Sequence, residues 1–125
     1  FSWYMGVIRD ERHRLSLGVH KNCTFQEFIH DYADQKALKP QLNWITDIRR
    51  RIPLNFIGRF DRLEEDFYYV CDILKIKNKT LPKLLISNNP SYINYYADET
   101  REIIASRYAK EIAYFGFKFE DEVYD

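Results

Sequence analysis

Between Pro53 and Tyr68 the chain changes its local pattern within a single residue. Leu54-Asn55-Phe56-Ile57-Gly58-Arg59-Phe60 reads as a short buried strand. Asp61-Arg62-Leu63-Glu64-Glu65-Asp66-Phe67 then reads as the first turns of a helix, with Asp61 and Glu64 spaced as a capping box. A strand that feeds directly into a helix N-terminus is half of a βαβ unit, and it points to an α/β architecture. In such folds anionic ligands sit at the strand's carboxyl end, where free backbone N–H groups and the helix dipole converge.

The same pattern occurs near the start. Trp3-Tyr4-Met5-Gly6-Val7-Ile8 is a continuous apolar run, too short for a helix by itself, and predicts a strand buried on both faces. It stops at Arg9, and Leu15, Ser16, Leu17 and Val19 predict a helix to about His20, with Asp10 and Glu11 in its first turn. At helical spacing Arg9, Arg12 or His13, and Ser16 share a face. Two guanidiniums and a hydroxyl beside a helix N-terminus are suited to hold a phosphate. The alternative is a solvated face on which Glu11 is the arginines' local partner.

Any anion site has to be local, because 19 basic and 19 acidic residues leave the 125-residue chain without net charge. The densest basic run, Arg49-Arg50-Arg51, has no interleaved aromatic residues, so no nucleic-acid partner is expected. With 46% apolar and 30% charged residues the composition is globular. No apolar run approaches a membrane span and no signal peptide is visible. Cys23 and Cys71 are far apart, and His13, His20 and His30 lack metal-ligand spacing, so no disulfide framework and no metal are expected. The four glycines are isolated, which excludes a Gly-rich phosphate loop, and no Ser, His and Asp set stands out.

The remaining elements are helical. Thr24-Phe25-Gln26-Glu27 is a capping box, followed by an apolar face of Phe25, Phe28, Ile29 and Tyr32, with His30 off that face. Leu63, Phe67, Val70, Cys71 and Leu74 recur as a core-facing stripe that makes Cys71 a small buried hydrophobe. Ser87-Asn88-Asn89-Pro90-Ser91 is turn chemistry. Asp98 is placed to cap a last helix with the stripe Ile104, Tyr108, Ile112 and Phe115, and Gly116 suits its left-handed end. Tyr92, Tyr95 and Tyr96 are expected to pack, and Phe117 and Phe119 to dock the tail.

Taken together, Thr24-Phe25-Gln26-Glu27-Phe28, Pro40-Gln41, Phe56-Ile57-Gly58-Arg59-Phe60 with Leu63-Glu64-Glu65-Asp66-Phe67, Tyr95-Tyr96 through Glu99-Thr100-Arg101-Glu102-Ile103, and Arg107-Tyr108-Ala109-Lys110-Glu111-Ile112 with Phe115-Gly116-Phe117 resemble the phosphoadenosine-phosphosulfate-dependent sulfotransferases, in particular the carbohydrate and bacterial or viral branch. Order and spacing agree along nearly the whole chain. The resemblance implies a P-loop-like α/β fold, here a helix-rich carboxyl-terminal part with few parallel strands. It also implies transfer of a sulfuryl group from 3′-phosphoadenosine 5′-phosphosulfate to a hydroxyl of a carbohydrate or small acceptor, with no metal. Arg9 then corresponds to the arginine that grips the nucleotide's 3′-phosphate. Ser16 and Ser87 join it on the donor, and Gln41 and Arg59 fall on the acceptor side. For Arg59 a pairing with Asp61 or Glu64 is the alternative.

The chain departs from the family at several positions. The family's serine falls at Leu17, one residue after Ser16, and its proline at Glu11. A frequent histidine is Ala37, and an asparagine in the loop after Pro82 is Leu85. The family's phosphosulfate loop, with a Lys-Thr pair after a strand, is absent from these residues, so a single partial domain without turnover of its own is expected. Replacement of three polar positions by Leu17, Ala37 and Leu85 motivates the alternative of a truncated or diverged, non-catalytic relative that binds a glycan or a protein. The cysteine count and lack of a targeting segment suggest the cytoplasm, whereas the acceptor triplets Asn22-Cys23-Thr24 and Asn78-Lys79-Thr80 would fit a Golgi lumen.

Overall fold

The computed structural model describes residues 1–84 and 88–119. Among them the chain forms seven α-helices and three short 3₁₀ turns, and no strand. The expected α/β fold with parallel strands is therefore corrected to an all-helical one. The chain divides into two compact units, one of residues 1–44 with 89 onward, and one of residues 45–88.

In the first unit, α1 (Ser2–Arg9) occupies the run expected as a strand. A strand covered on both faces would bury alternate neighbours equally, yet Tyr4 and Val7 are buried while Trp3 and Gly6 are exposed. That spacing of three is one face of a helix. α2 (Glu11–Ser16) is shorter than the stretch to His20 that the sequence suggested. α3 (Phe25–Tyr32) starts as expected, since Thr24 Oγ1 accepts from the Glu27 N–H at 3.2 Å and the Glu27 carboxylate accepts from the Thr24 N–H at 2.7 Å. Phe25, Phe28 and Ile29 are buried on it, and His30 faces outward against Glu99.

A short α4 (Leu42–Ile45) closes the first stretch of this unit, at the boundary with the second. The return segment enters through a 3₁₀ turn at Tyr92–Tyr95. The last helix is two helices, α6 (Asp98–Arg107) and α7 (Ala109–Phe115), broken at Tyr108. Tyr108 leaves helical backbone geometry at φ −103°, ψ 17°, and its hydroxyl donates to the Leu38 carbonyl. Asp98 is the first residue of α6 and not its cap. Buried Thr100 takes that part, its Oγ1 accepting from the Ala97 N–H at 3.0 Å and donating to the Ala97 carbonyl at 2.9 Å. Gly116 ends α7 at φ 67°, the left-handed conformation expected of it.

Aromatic rings form the core of this unit. The Phe25 ring lies 5.3 Å from Tyr4, 5.9 Å from Phe1, 6.2 Å from Tyr95 and 4.8 Å from Tyr96, mostly edge to face. Tyr4 buries its ring and donates its hydroxyl to the Cys23 carbonyl at 3.0 Å. Phe119 docks against Tyr92 and Tyr96, both at 5.2 Å, with the Arg101 guanidinium 4.4 Å from its ring centre.

In the second unit, residues 54–59 have no strand partner among the described residues, and the Arg59 N–H donates to a carboxylate oxygen of Asp66 at 2.7 Å. A 3₁₀ turn, Phe60–Arg62, leads into α5 (Leu63–Ile73). Asp61 sits in that turn and makes no cap with Glu64, because both its oxygens hold Arg59. Cys71 is buried as expected, but the stripe is thin, with Leu63 and Leu74 exposed. The basic run is folded around Asp47, which accepts from the N–H groups of Arg49 and Arg51 and from the Arg51 guanidinium.

Replacing Phe28 by Ala is expected to cost about 3–5 kcal/mol, a deep-core truncation. Ile73→Ala, at a side chain 61% exposed, should stay within about 0.5 kcal/mol. Urea unfolding followed by far-ultraviolet circular dichroism measures both.

Candidate functional site

Asp10 joins α1 to α2 in extended conformation and turns the chain so that Arg9 ends one helix as Glu11 opens the next. Its Oδ1 accepts from the backbone N–H groups of Arg12 at 2.9 Å and His13 at 3.3 Å, and its Oδ2 faces the Arg12 guanidinium at 3.6 Å. The His13 N–H, aided by that of Arg12, holds the Asp10 carboxyl below its ordinary 3.8 against some desolvation. The N-terminus of α2 is thus filled by the chain's own carboxylate. The backbone part of the expected phosphate cradle is corrected accordingly, because an anion could reach those N–H groups only by displacing Asp10.

The side-chain part has a different outcome. Arg9 Nη1 donates to Asn89 Oδ1 at 2.8 Å, across 80 positions of sequence. Asn89 is a neutral acceptor, so it orients the guanidinium without cancelling its charge. Ser87 and Leu85 lie outside the described residues.

Ser16 is placed elsewhere. It lines a cavity of about 360 Å³ whose other walls are Ser2, Trp3, Gly6, Val7, His13 and Leu17, and Arg9 is not among them. The Ser16 hydroxyl donates to the His13 carbonyl at 2.9 Å, which leaves its oxygen lone pairs to accept. The walls are largely apolar, with Leu17 at the position where the resemblance would put a serine.

Gln41 follows Pro40 at the start of α4, and its backbone N–H donates to the Glu111 carboxylate at 2.7 Å. Glu111 is itself buried on α7, so two of the resembling stretches, Pro40-Gln41 and Arg107 to Ile112, are joined by one bond. Arg59 belongs to the other unit and takes the pairing alternative, with Nε and Nη2 on the two oxygens of Asp61 at 3.0 and 2.9 Å. That bidentate bond holds the Asp61 carboxyl below its ordinary value.

Asn89 and Glu111 were missed by sequence reasoning. The Asn-Pro step at 89–90 signalled a turn, but nothing local to it signalled a partner at Arg9. Among the described residues a second cavity, of about 290 Å³, has Tyr92, Tyr96 and Phe119 on its walls with Arg101 and Lys118, an aromatic surface bearing positive charge. No helix among the described residues is long and apolar enough to cross a membrane. No known protein family, curated protein or solved structure matches the chain.

The acid limb of stability should report the Asp10 cap. Its carboxyl is lowered in the folded state, so the stability it gives is complete above the unfolded value and is lost as pH falls through the folded one. Asp10→Asn keeps a capping oxygen but cannot titrate. Thermal midpoints of this variant, measured below about pH 4, are expected to fall less steeply than those of the parent chain.

Proposed function

We propose that the chain binds 3′-phosphoadenosine 5′-phosphosulfate and serves sulfuryl transfer to a hydroxyl, with a carbohydrate as the acceptor class. The observation that carries this is the Arg9–Asn89 bond, which orients the guanidinium of the arginine singled out by the resemblance. The proposal rests on side-chain chemistry and motif order, and no longer on an α/β sheet. A guanidinium held in a fixed plane offers parallel N–H donors to phosphate oxygens, a geometry that lysine does not reproduce. In the transfer itself the acceptor oxygen attacks sulfur in line with the departing phosphate oxygen. Cationic donors then stabilise the charge that develops on the leaving group. On the resemblance, Arg9 and Ser16 are assigned to the donor and Gln41 to the acceptor.

A second reading draws on the cavity beside α1. Its apolar walls, Trp3, Val7 and Leu17, suit a ring or an aliphatic group better than a phosphate. They favour a non-catalytic relative that binds a glycan or a protein segment.

Calorimetry with the desulfated nucleotide, 3′-phosphoadenosine 5′-phosphate, separates the two. A single site is expected, weakened in Arg9→Ala by about 10- to 100-fold, the ~1.5–3 kcal/mol of a hydrogen bond to a charged group. Arg9→Lys should recover only part of it. Absence of heat, or equal affinity in Arg9→Ala with unchanged circular dichroism, would overturn the proposal. Binding of a sulfated or neutral oligosaccharide that is lost in Leu17→Asp and retained in Arg9→Ala would establish the second reading instead.

A further inference from the structure

We infer that His20, Cys23 and Glu27 form a binding site for a divalent transition-metal ion of the zinc class. One imidazole nitrogen, one thiol sulfur and one carboxylate oxygen lie within 4.8 Å of one another, with His20 Nε2 at 3.8 Å from Glu27 Oε2. Zinc takes nitrogen, sulfur and oxygen donors at about 2.0–2.3 Å in a tetrahedron, which places neighbouring donor atoms about 3.3–3.6 Å apart. Rotation of exposed His20 through roughly 1 Å closes that difference. The expectation of no metal came from testing cysteines against cysteines and histidines against histidines. The spacing that matters here is His-x-x-Cys followed by Glu after three residues, with the helix turn bringing the last ligand back.

Each anchor is held before any ion arrives. The Cys23 N–H donates to the His20 carbonyl at 3.2 Å, which closes the turn carrying both ligands. The Cys23 carbonyl accepts the buried Tyr4 hydroxyl, so the thiol's backbone is pinned to the aromatic core. Glu27 is fixed by its bonds to the Thr24 N–H and hydroxyl at 2.7 and 3.0 Å. Both bonds fall on Oε2 and use its two lone pairs, so Glu27 keeps them and ligates through Oε1. The helix dipole of α3 opposes a cation at this end. A thiolate and a carboxylate together carry the two negative charges that balance the ion. Three protein ligands leave a fourth position for water or an exogenous group, the arrangement of an open site. The ion would tie the turn after α2 to the start of α3. This site is independent of the donor site proposed at Arg9.

The chain, stripped with a chelator and titrated with Co²⁺, provides the test, because a cobalt–thiolate bond gives a near-ultraviolet charge-transfer band. Saturation at one equivalent, with displacement by Zn²⁺, is expected. The band should vanish in Cys23→Ser and persist in Cys71→Ser. His20→Ala, at an exposed position outside any helix, should weaken Co²⁺ binding by about 10-fold or more. Glu27→Gln retains a capping-box residue and should weaken binding with little change in melting temperature. If Cys23→Ser does not fold, His20→Ala decides the matter. No band at one equivalent, a band that survives Cys23→Ser, or unchanged affinity in His20→Ala would overturn the inference.

Discussion

A chain with short helices and no strand among its described residues has no sheet ladder in which to place the N–H groups of its long connections. Carboxylates take that part throughout. Asp10 accepts from Arg12 and His13, Glu27 from Thr24, Asp47 from Arg49 and Arg51, Asp66 from Arg59, and Glu111 from Gln41. Asp66 and Glu111 are buried while doing so, and a buried carboxylate is tolerable only because charged-acceptor hydrogen bonds replace its water. These five acidic residues are thus structural. That role also explains why an apparent anion site at α2 is closed, since the carboxylate that shapes the turn occupies the place an anion would take.

The second constraint is the joint made by Phe25. Its ring is touched from α1 by Tyr4 and from the return segment by Tyr95 and Tyr96, so residues distant in sequence share one core. Bonds at the periphery follow the same division. Gln26 donates to the Tyr95 carbonyl, and Arg107 donates to the Ala33 carbonyl and pairs with Asp34. The α3–α6 face is therefore stitched by polar groups around an aromatic centre.

What could be read from the sequence was the local chemistry. The Thr24–Glu27 box, the Gly116 end and buried Cys71 are each specified by residues within one or two turns, and all three stand as read. The strand at Trp3–Ile8 failed because six apolar residues carry no period of their own. Which faces are buried depends on Phe25 and Tyr95, which lie far along the chain. The strand at Leu54–Phe60 failed for the related reason that a strand needs a partner no local pattern supplies. Of the site, Arg9 was legible as chemistry, whereas its partner Asn89 was not. The His20, Cys23 and Glu27 grouping was visible as a spacing only to a search that mixed ligand types.

In the proposed donor site the Arg9 guanidinium, oriented by Asn89, would receive a phosphate. Arginine side-chain Nε–Hε resonances, assigned by substitution and followed while 3′-phosphoadenosine 5′-phosphate is added, address it atom by atom. The Arg9 resonance is expected to shift and sharpen in step with saturation, while that of Arg59, engaged by Asp61, stays in place. An Arg9 resonance that does not move at saturating nucleotide would contradict the proposal.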